Sequence, residues 1–336
     1  MKTLILSAGL GTRMNPLTEV LPKPLLPILN RPVLEHTLTM LKNNGICDVI
    51  VNLHHLSKKI VNHFGSGLNY SYEEKILGTA GAIKKCQDFF DDKTFLVING
   101  DIISNIDLNK ALVFHKEKRS PLTLIVREDD NLEKYKPIEI DQNGKIVRFP
   151  HSKLKNHIKG TTRVMFTGIQ IVEPEIFEYI PKGQYCGTTD EIYLDILDED
   201  STIYGYLYKG YWRDIGNRED YILANDEALE GKIKLQGSGE WDPKGSNIMA
   251  PVLVGRNSIL SPYSQVGPYV VLGENCRIDE GALIENSVCW NNVVISSGSI
   301  VRDSVLGSNM IVNPKQIISK RLGVQVGFKP TLSSPQ

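Results

Sequence analysis

The chain has 336 residues, 41% hydrophobic and 23% charged, enough for one large or two ordinary globular domains. Its formal net charge of −1 excludes a global positive field for nucleic acid and leaves only local basic sites for small phosphorylated ligands. The five cysteines, Cys47, Cys86, Cys186, Cys276 and Cys289, are odd in number and form no CxxC pair, so reduced thiols are expected rather than a disulfide framework.

Residues 1–6 are apolar but too short for a signal peptide, and no segment reaches the length of a transmembrane helix, so the expected location is the cytoplasm with no membrane partner. Residues 3–6 read as a strand. Residues 33–41 read as a helix that Gly45 terminates. Strand 49–53 and helix 57–64 follow. His54-His55 is the only close histidine pair, and neighbours on a strand point to opposite faces, so it is not read as a metal site. A helix over 79–86, a strand over 95–98, a helix over 107–116 capped by Asp107 and a strand over 122–126 continue the alternation. This order predicts an α/β fold, a Rossmann-like, mostly parallel sheet with helices on both faces and ligands beyond the carboxyl ends of the strands. Between 137 and 172 the pattern turns to shorter strands, with Asn143-Gly144 as a hairpin signal between 138–140 and 146–149. A helix over 218–229 is expected to close this domain. Gly237-Ser238-Gly239 and Pro243-Lys244-Gly245 then read as a linker.

Beyond the linker, Val254, Leu260, Val266, Leu272, Ile278 and Ile284 recur every six residues. Trp290 continues the phase, Ile295 and Val301 resume it one residue early, and Gly255, Gly267 and Gly273 each follow an apolar position. Such a period is the hexapeptide signature of a short left-handed parallel β-helix, here over 247–312, roughly three to four coils. The expected division is therefore a catalytic domain at 1–235, a β-helix at 246–315 and a tail at 316–336. No histidine follows His157, which argues against an acyl-transfer site on the β-helix and favours assembly of a homo-oligomer through it.

The chemistry-bearing residues cluster after the first strand. In Gly9-Leu10-Gly11-Thr12-Arg13 the absence of Cβ atoms lets backbone amides approach an anion, and Arg13 adds a fork suited to phosphate oxygens. Lys23 follows, held between two prolines. Met14 stands where a dinucleotide fingerprint has its third glycine, and no GxxxxGK[ST] string is present, so neither a hydride-transfer enzyme nor a P-loop is indicated. The longer string, Leu6 through Met14, Pro16-Leu17-Thr18 and Leu21 through Pro27, closely resembles the signature of sugar-1-phosphate nucleotidyltransferases. The stretch Leu77-Gly78-Thr79-Ala80-Gly81-Ala82 resembles most the version found in mannose-1-phosphate guanylyltransferases.

The resemblance implies that Ala8 and Gly9 face the base, that Gly11, Thr12 and Arg13 hold the triphosphate, and that Lys23 neutralises charge in the transition state. It implies that Gly78 and Thr79 lie against base and ribose. It assigns Asp101, in Asn99-Gly100-Asp101, and Asp214, in Trp212-Arg213-Asp214-Ile215-Gly216, to Mg²⁺, with Arg13, Lys23 and Asp101 as the catalytic set. Mg²⁺ commonly takes one or two carboxylates with phosphate oxygens and water. Glu139, Thr167 and Gly168 are implied at the sugar. Two departures from the family pattern are visible. Lys136-Pro137 stands where relatives carry a glycine, and Arg148-Phe149-Pro150-His151 replaces a Glu-Lys-Pro whose lysine grips the sugar phosphate, leaving Lys136, Arg148 and Arg163 as candidate replacements. The implied substrates are GTP and mannose 1-phosphate or a related manno-configured sugar. The alternatives are a uridylyl- or thymidylyltransferase acting on glucose 1-phosphate, and a non-catalytic regulatory or scaffold homologue.

Overall fold

A buried five-residue strand, Lys2–Leu6, opens the chain and becomes the centre of a sheet. The computed structural model describes residues 1–336 except 151–157, 199–201, 244–246, 327–328 and 335–336. His151, Lys244 and Gly245 therefore lie outside the described residues. Packing divides the chain into two compact units, one of Met1–Gly9 and Leu38–Trp212, the other of Leu10–Thr37 and Arg213–Gln336.

The first unit is built on a nine-stranded sheet. Four strands, in the order Asn69–Tyr72, Val49–Leu53, Lys2–Leu6 and Phe95–Asn99, are mutually parallel. The eleven-residue strand Thr162–Val172 runs antiparallel to Phe95–Asn99 and also pairs with Leu122–Arg127 and Ile138–Ile140. Helices form where the pattern predicts them. Ser57–Phe64 and Gly78–Lys85 follow parallel strands, and Leu108–Lys118 is capped by Asp107, whose carboxylate accepts from the amides of Asn109 and Lys110. Leu4, Phe95, Val97, Leu124 and Val172 are among the fully buried core, with Phe90 stacked on Phe95 at 3.9 Å between ring centroids. The expected hairpin is present, with Gly144 at φ 82° and the Asp141 carboxylate accepting from the amides of Asn143 and Lys145.

The second unit joins residues 10–37 to the helix Arg218–Leu229, capped by Asn217, and to a parallel β-helix. Three stacks of short parallel strands form its flat faces. Val266, Ile284, Val301 and Ile318 are fully buried along one of them. One corner is lined by Asn257, Asn275, Asn292 and Asn309, all at positive φ, and each carboxamide donates to the next at 3.4, 3.2 and 3.0 Å. Asparagine tolerates the left-handed conformation that such corners require.

Three expectations change. Val254 pairs with Leu272, 18 residues on, but Leu272 pairs with Cys289, Cys289 with Leu306 and Leu306 with Gly323, each 17 on. The shorter coils put Cys289 into the inward stack where strict period six places Trp290. Residues 316–336 are not simply a tail, because Ile317–Ser319 and Leu322–Val326 continue the ladders and Lys329–Leu332 closes the edge antiparallel. Nor does packing divide at the glycine-rich segment near 237. Ser238 donates its amide to the Leu29 carbonyl at 3.0 Å, so this segment is bonded to residues far upstream. Among the described residues, no helix is long and apolar enough to cross a membrane.

The helix Arg218–Leu229 carries a titratable strain. Burial, and then the carboxylates of Glu230, Glu227 and Asp303, raise the Asp226 pKa to about 7. An unfolded aspartate titrates near 3.9, so the folded state holds this proton more tightly, and stability falls as pH rises from about 4 to about 7. Thermal unfolding of the wild type and Asp226→Asn, followed by circular dichroism between pH 5 and 8, is expected to show a Tm decline on raising pH that the variant flattens.

Candidate active site

In the first unit the strand end at Ser7–Gly9 is held from two sides. The Ser7 amide donates to the Asn52 carboxamide at 2.5 Å, and the Asn52 amide donates to Glu73 at 2.7 Å. The second Glu73 oxygen accepts the Leu77 amide at 2.9 Å. A single buried carboxylate thus ties the end of the first strand to the start of the Leu77–Ala82 loop. No periodicity or motif in the sequence singles out Asn52 or Glu73, because the pairing exists only once the sheet has formed.

A Cβ added at Gly9 would meet nothing within 4 Å, so this backbone is open to a ligand. Gly100 is the reverse case. Its amide donates to the Leu6 carbonyl at 2.8 Å, and a Cβ there would lie 2.4 Å from Ser7 Oγ. Glycine therefore lets Asp101 sit directly beside the first strand's end. Ser7 Oγ is buried and has no hydrogen-bond partner among the described residues. Gly78 stands at φ 73°, where a Cβ would lie 2.4 Å from the Cys186 carbonyl, and that carbonyl accepts the Ala80 amide at 3.0 Å. Thr79 uses its hydroxyl internally, accepting the Thr188 amide at 2.9 Å.

The residues expected at the sugar are more committed than their motif suggests. Glu139 is 1% exposed and accepts from the Ile158 amide at 2.9 Å, from the Thr161 hydroxyl at 2.8 Å and from Arg148. The Thr167 hydroxyl donates to the Ile125 carbonyl at 2.8 Å, and its own carbonyl accepts from the Trp212 indole at 2.9 Å. Gly168, at φ 77°, sits in the irregular stretch between Phe166 and Gln170, where a Cβ would lie 2.5 Å from the Asn99 amide nitrogen.

In the second unit, Gly11 adopts φ 66°. Its carbonyl accepts the Met14 amide at 2.9 Å and the Thr18 hydroxyl at 3.0 Å, which folds Thr12–Met14 into a 3₁₀ turn. Met14 is fully buried, which pins the turn while Thr12 and Arg13 remain exposed. A Cβ on Gly11 would lie 2.9 Å from the Thr18 methyl and 3.5 Å from the Lys23 Cβ, so the turn and the lysine loop are in close contact. Lys23–Leu25 is itself a 3₁₀ turn with Pro24 and Leu25 buried.

Asp214 belongs to this unit too. Arg213 binds Glu227 through two hydrogen bonds of 2.7 Å, which fixes the strand Trp212–Asp214 to the helix Arg218–Leu229. At Gly216 the position of an added Cβ lies 2.7 Å from Asp214 Oδ2 and 3.1 Å from both terminal nitrogens of Arg13. Two residues some two hundred positions apart in sequence, one anionic and one cationic, therefore converge on a glycine. Gly216 and Thr18 stand out in the sequence only as parts of longer strings.

Comparison with known proteins places these features in a family. The nucleotidyl transferase family model matches residues 2–231, and the GMPPB C-terminal domain model matches residues 248–332. The chain is 33% identical to UTP–glucose-1-phosphate uridylyltransferase of Synechocystis sp., over 86% of this chain and 82% of that protein. It is 29% identical to mannose-1-phosphate guanylyltransferase of Mycobacterium tuberculosis, over 84% of this chain and 82% of that protein. Among solved structures it is similar to HddC from Yersinia pseudotuberculosis complexed with GMP-PN, at a TM-score of 0.56 and 26% identity, covering 67% of this chain and 98% of that one.

The three atoms nearest to a methyl at position 216 are side-chain ends of Asp214 and Arg13, so it displaces these two residues at little cost to the fold. Gly216→Ala is expected to keep the wild-type Tm and lose about 10²-fold in turnover, the scale set by a 1 Å misplacement. Calorimetry together with an activity assay checks both halves.

Proposed function

Since this chain belongs to the nucleotidyl transferase family, and within it to the sugar-1-phosphate nucleotidyltransferases, we propose that it transfers a guanylyl group from GTP to mannose 1-phosphate or a related manno-configured sugar 1-phosphate, releasing pyrophosphate. The carrying observation is the convergence of Arg13 and Asp214 over Gly216, in the unit where Lys23 lies against Gly11. Relatives named as mannose-1-phosphate guanylyltransferases and the C-terminal family model support the choice of guanine and mannose. Uridylyl transfer to glucose 1-phosphate is the second reading, because the Synechocystis relative at 33% identity carries that name.

The attacking oxygen of a sugar 1-phosphate is already an anion, so the reaction needs no general base. It strikes the α-phosphorus in line and pyrophosphate departs, which makes alignment and charge neutralisation the protein's task. Arg13 presents a planar fork to phosphate oxygens, and Lys23 presents a point charge from a loop whose prolines restrict it. The exposed backbone at Gly9 gives the nucleotide a close approach, and the Gly78–Thr79 turn is assigned to its base and ribose. The orphan hydroxyl of Ser7 offers a further polar contact there.

Asp101 and Asp214 fit Mg²⁺ by donor chemistry, being hard carboxylates of the kind that this ion takes one or two at a time. When bound, Mg²⁺ supplies further positive charge to the triphosphate. For the sugar, Glu139, Thr167 and Gly168 remain the assigned wall. Arg148 pairs with Glu139, and Lys136, Arg148 and Arg163 are the candidates for the sugar phosphate. We place the enzyme in the cytoplasm as a homo-oligomer joined by its β-helix, on which Ile259, Tyr263 and Ile317 are exposed.

Lys23→Ala is expected to lower pyrophosphate release by orders of magnitude with an unchanged circular dichroism spectrum, and a near-wild-type rate would remove the assignment. Purified protein assayed against four nucleoside triphosphates and a panel of sugar 1-phosphates is expected to be most active with GTP and a manno-configured sugar. Preference for UTP and glucose 1-phosphate would establish the second reading.

A further inference from the structure

The loop that carries Lys23 runs directly into a small hairpin, Pro27–Ile28 paired with Arg31–Pro32. Its two turn residues, Leu29 at φ 48° and Asn30 at φ 64°, are both left-handed. Leucine adopts this conformation at a cost, and such residues persist where their surroundings over-determine them. The surroundings here do so. The Leu29 side chain is fully buried, its amide donates to the Asn225 carboxamide at 2.9 Å, and its carbonyl accepts the Ser238 amide at 3.0 Å. The Asn30 amide group donates to the Leu272 carbonyl of the β-helix at 2.7 Å and to the Ser238 carbonyl at 3.0 Å.

A second connection is more direct. Trp290, displaced from the inward stack by the shorter coils, donates its indole hydrogen to Tyr221 Oη at 3.2 Å. Tyr221, fully buried on the helix Arg218–Leu229, donates in turn to the Pro27 carbonyl. Burial raises the phenol's pKa, which keeps the donor protonated. From Pro27 the loop continues back through the Leu26 amide, which donates to the Lys23 carbonyl at 3.0 Å. Pro22, Pro24 and Pro27 have no amide hydrogens; the Leu25 and Leu26 amides close the turn, and the Pro27 and Leu29 carbonyls are points of attachment to the rest of the unit.

We propose that Trp290 and Tyr221 are positioning residues for Lys23, through which the β-helix sets the lysine loop for phosphate chemistry. The proposal rests on the reading of Lys23 given above. It gives the β-helix a role in the reaction that needs no ligand of its own and no second copy of the chain. A buried indole and a buried phenol each need a hydrogen-bond partner, and here the two bonds run in one direction, from the β-helix to the loop.

Tyr221→Phe and Trp290→Phe test it, measured for pyrophosphate release and for amide hydrogen exchange by mass spectrometry. The expected result is a kcat about tenfold lower with KM for both substrates within about twofold, since a tenfold change is about 1.4 kcal/mol of transition-state alignment. In a Lys23→Ala background, Tyr221→Phe is expected to cost less than twofold more, because the effect acts through the lysine. Exchange is expected to rise in peptides spanning residues 21–29 and to stay unchanged in peptides from 252–319. A kcat within twofold of wild type, losses that multiply in the double variant, or exchange that rises throughout the β-helix would each overturn the proposal. Should the wild type release no pyrophosphate with any substrate pair, the functional reading fails, and the exchange pattern still decides whether the β-helix holds the loop.

Discussion

Pro22, Pro24 and Pro27 deny the lysine loop three amide hydrogens, so beyond the 3₁₀ turn that the Leu25 and Leu26 amides close, its placement is imposed from outside. The imposition is local to its own unit. Asn225 and Tyr221 of one helix, Ser238 of the glycine-rich segment, and Leu272 and Trp290 of the β-helix are among the residues whose bonds reach the loop or its hairpin, directly or through one another. Residues 10–37 leave the first strand and pack with the C-terminal third of the chain. Arg13 and Lys23, the cations of the signature, therefore share a unit with the β-helix and with Asp214. The unit boundaries at Gly9 and Trp212 fall inside the two signature strings themselves.

Much of this fold is legible in local sequence because its determinants are local. Asp107 and Asn217 cap helices whose apolar spacing already marks them, and Asn143-Gly144 turns a hairpin between two short apolar runs. The six-residue period announces the β-helix because one inward side chain per face must be apolar. What local pattern cannot carry is a change of coil length. A corner near Asn286 that is one residue shorter moves Cys289 inward, and this alone turns Trp290 from a core residue into a donor for Tyr221. The continuation through Ile318 keeps the period six residues beyond Val312, where the sequence reading ends the array.

The site divides along the same line. Its glycines are legible in the sequence, but the reasons for them are not. Gly100 admits Ser7, Gly78 admits the Cys186 carbonyl and Gly216 admits Asp214 with Arg13, each through a contact that only the folded chain makes. Glu73, which ties the first strand to the Leu77–Ala82 loop, stands in no motif. Glu139 shows the opposite limit. Its motif suggests an open sugar contact, whereas its carboxylate is bonded by Ile158, Thr161 and Arg148. The region of departure from the family pattern is thus also where the motif says least about chemistry.

Reversal of the reaction tests the central assignment most directly, since it asks the same phosphorus to form the bond to pyrophosphate that the forward reaction breaks. Wild-type protein and Lys23→Ala are incubated with Mg²⁺, pyrophosphate and each of a set of nucleotide sugars, and followed by ³¹P nuclear magnetic resonance. The expected result is growth of nucleoside triphosphate and sugar 1-phosphate signals with GDP-mannose for the wild type, and their near absence for the variant. Equal growth in both proteins, or none with any nucleotide sugar, would contradict the assignment of nucleotidyl transfer to the loop that carries Lys23.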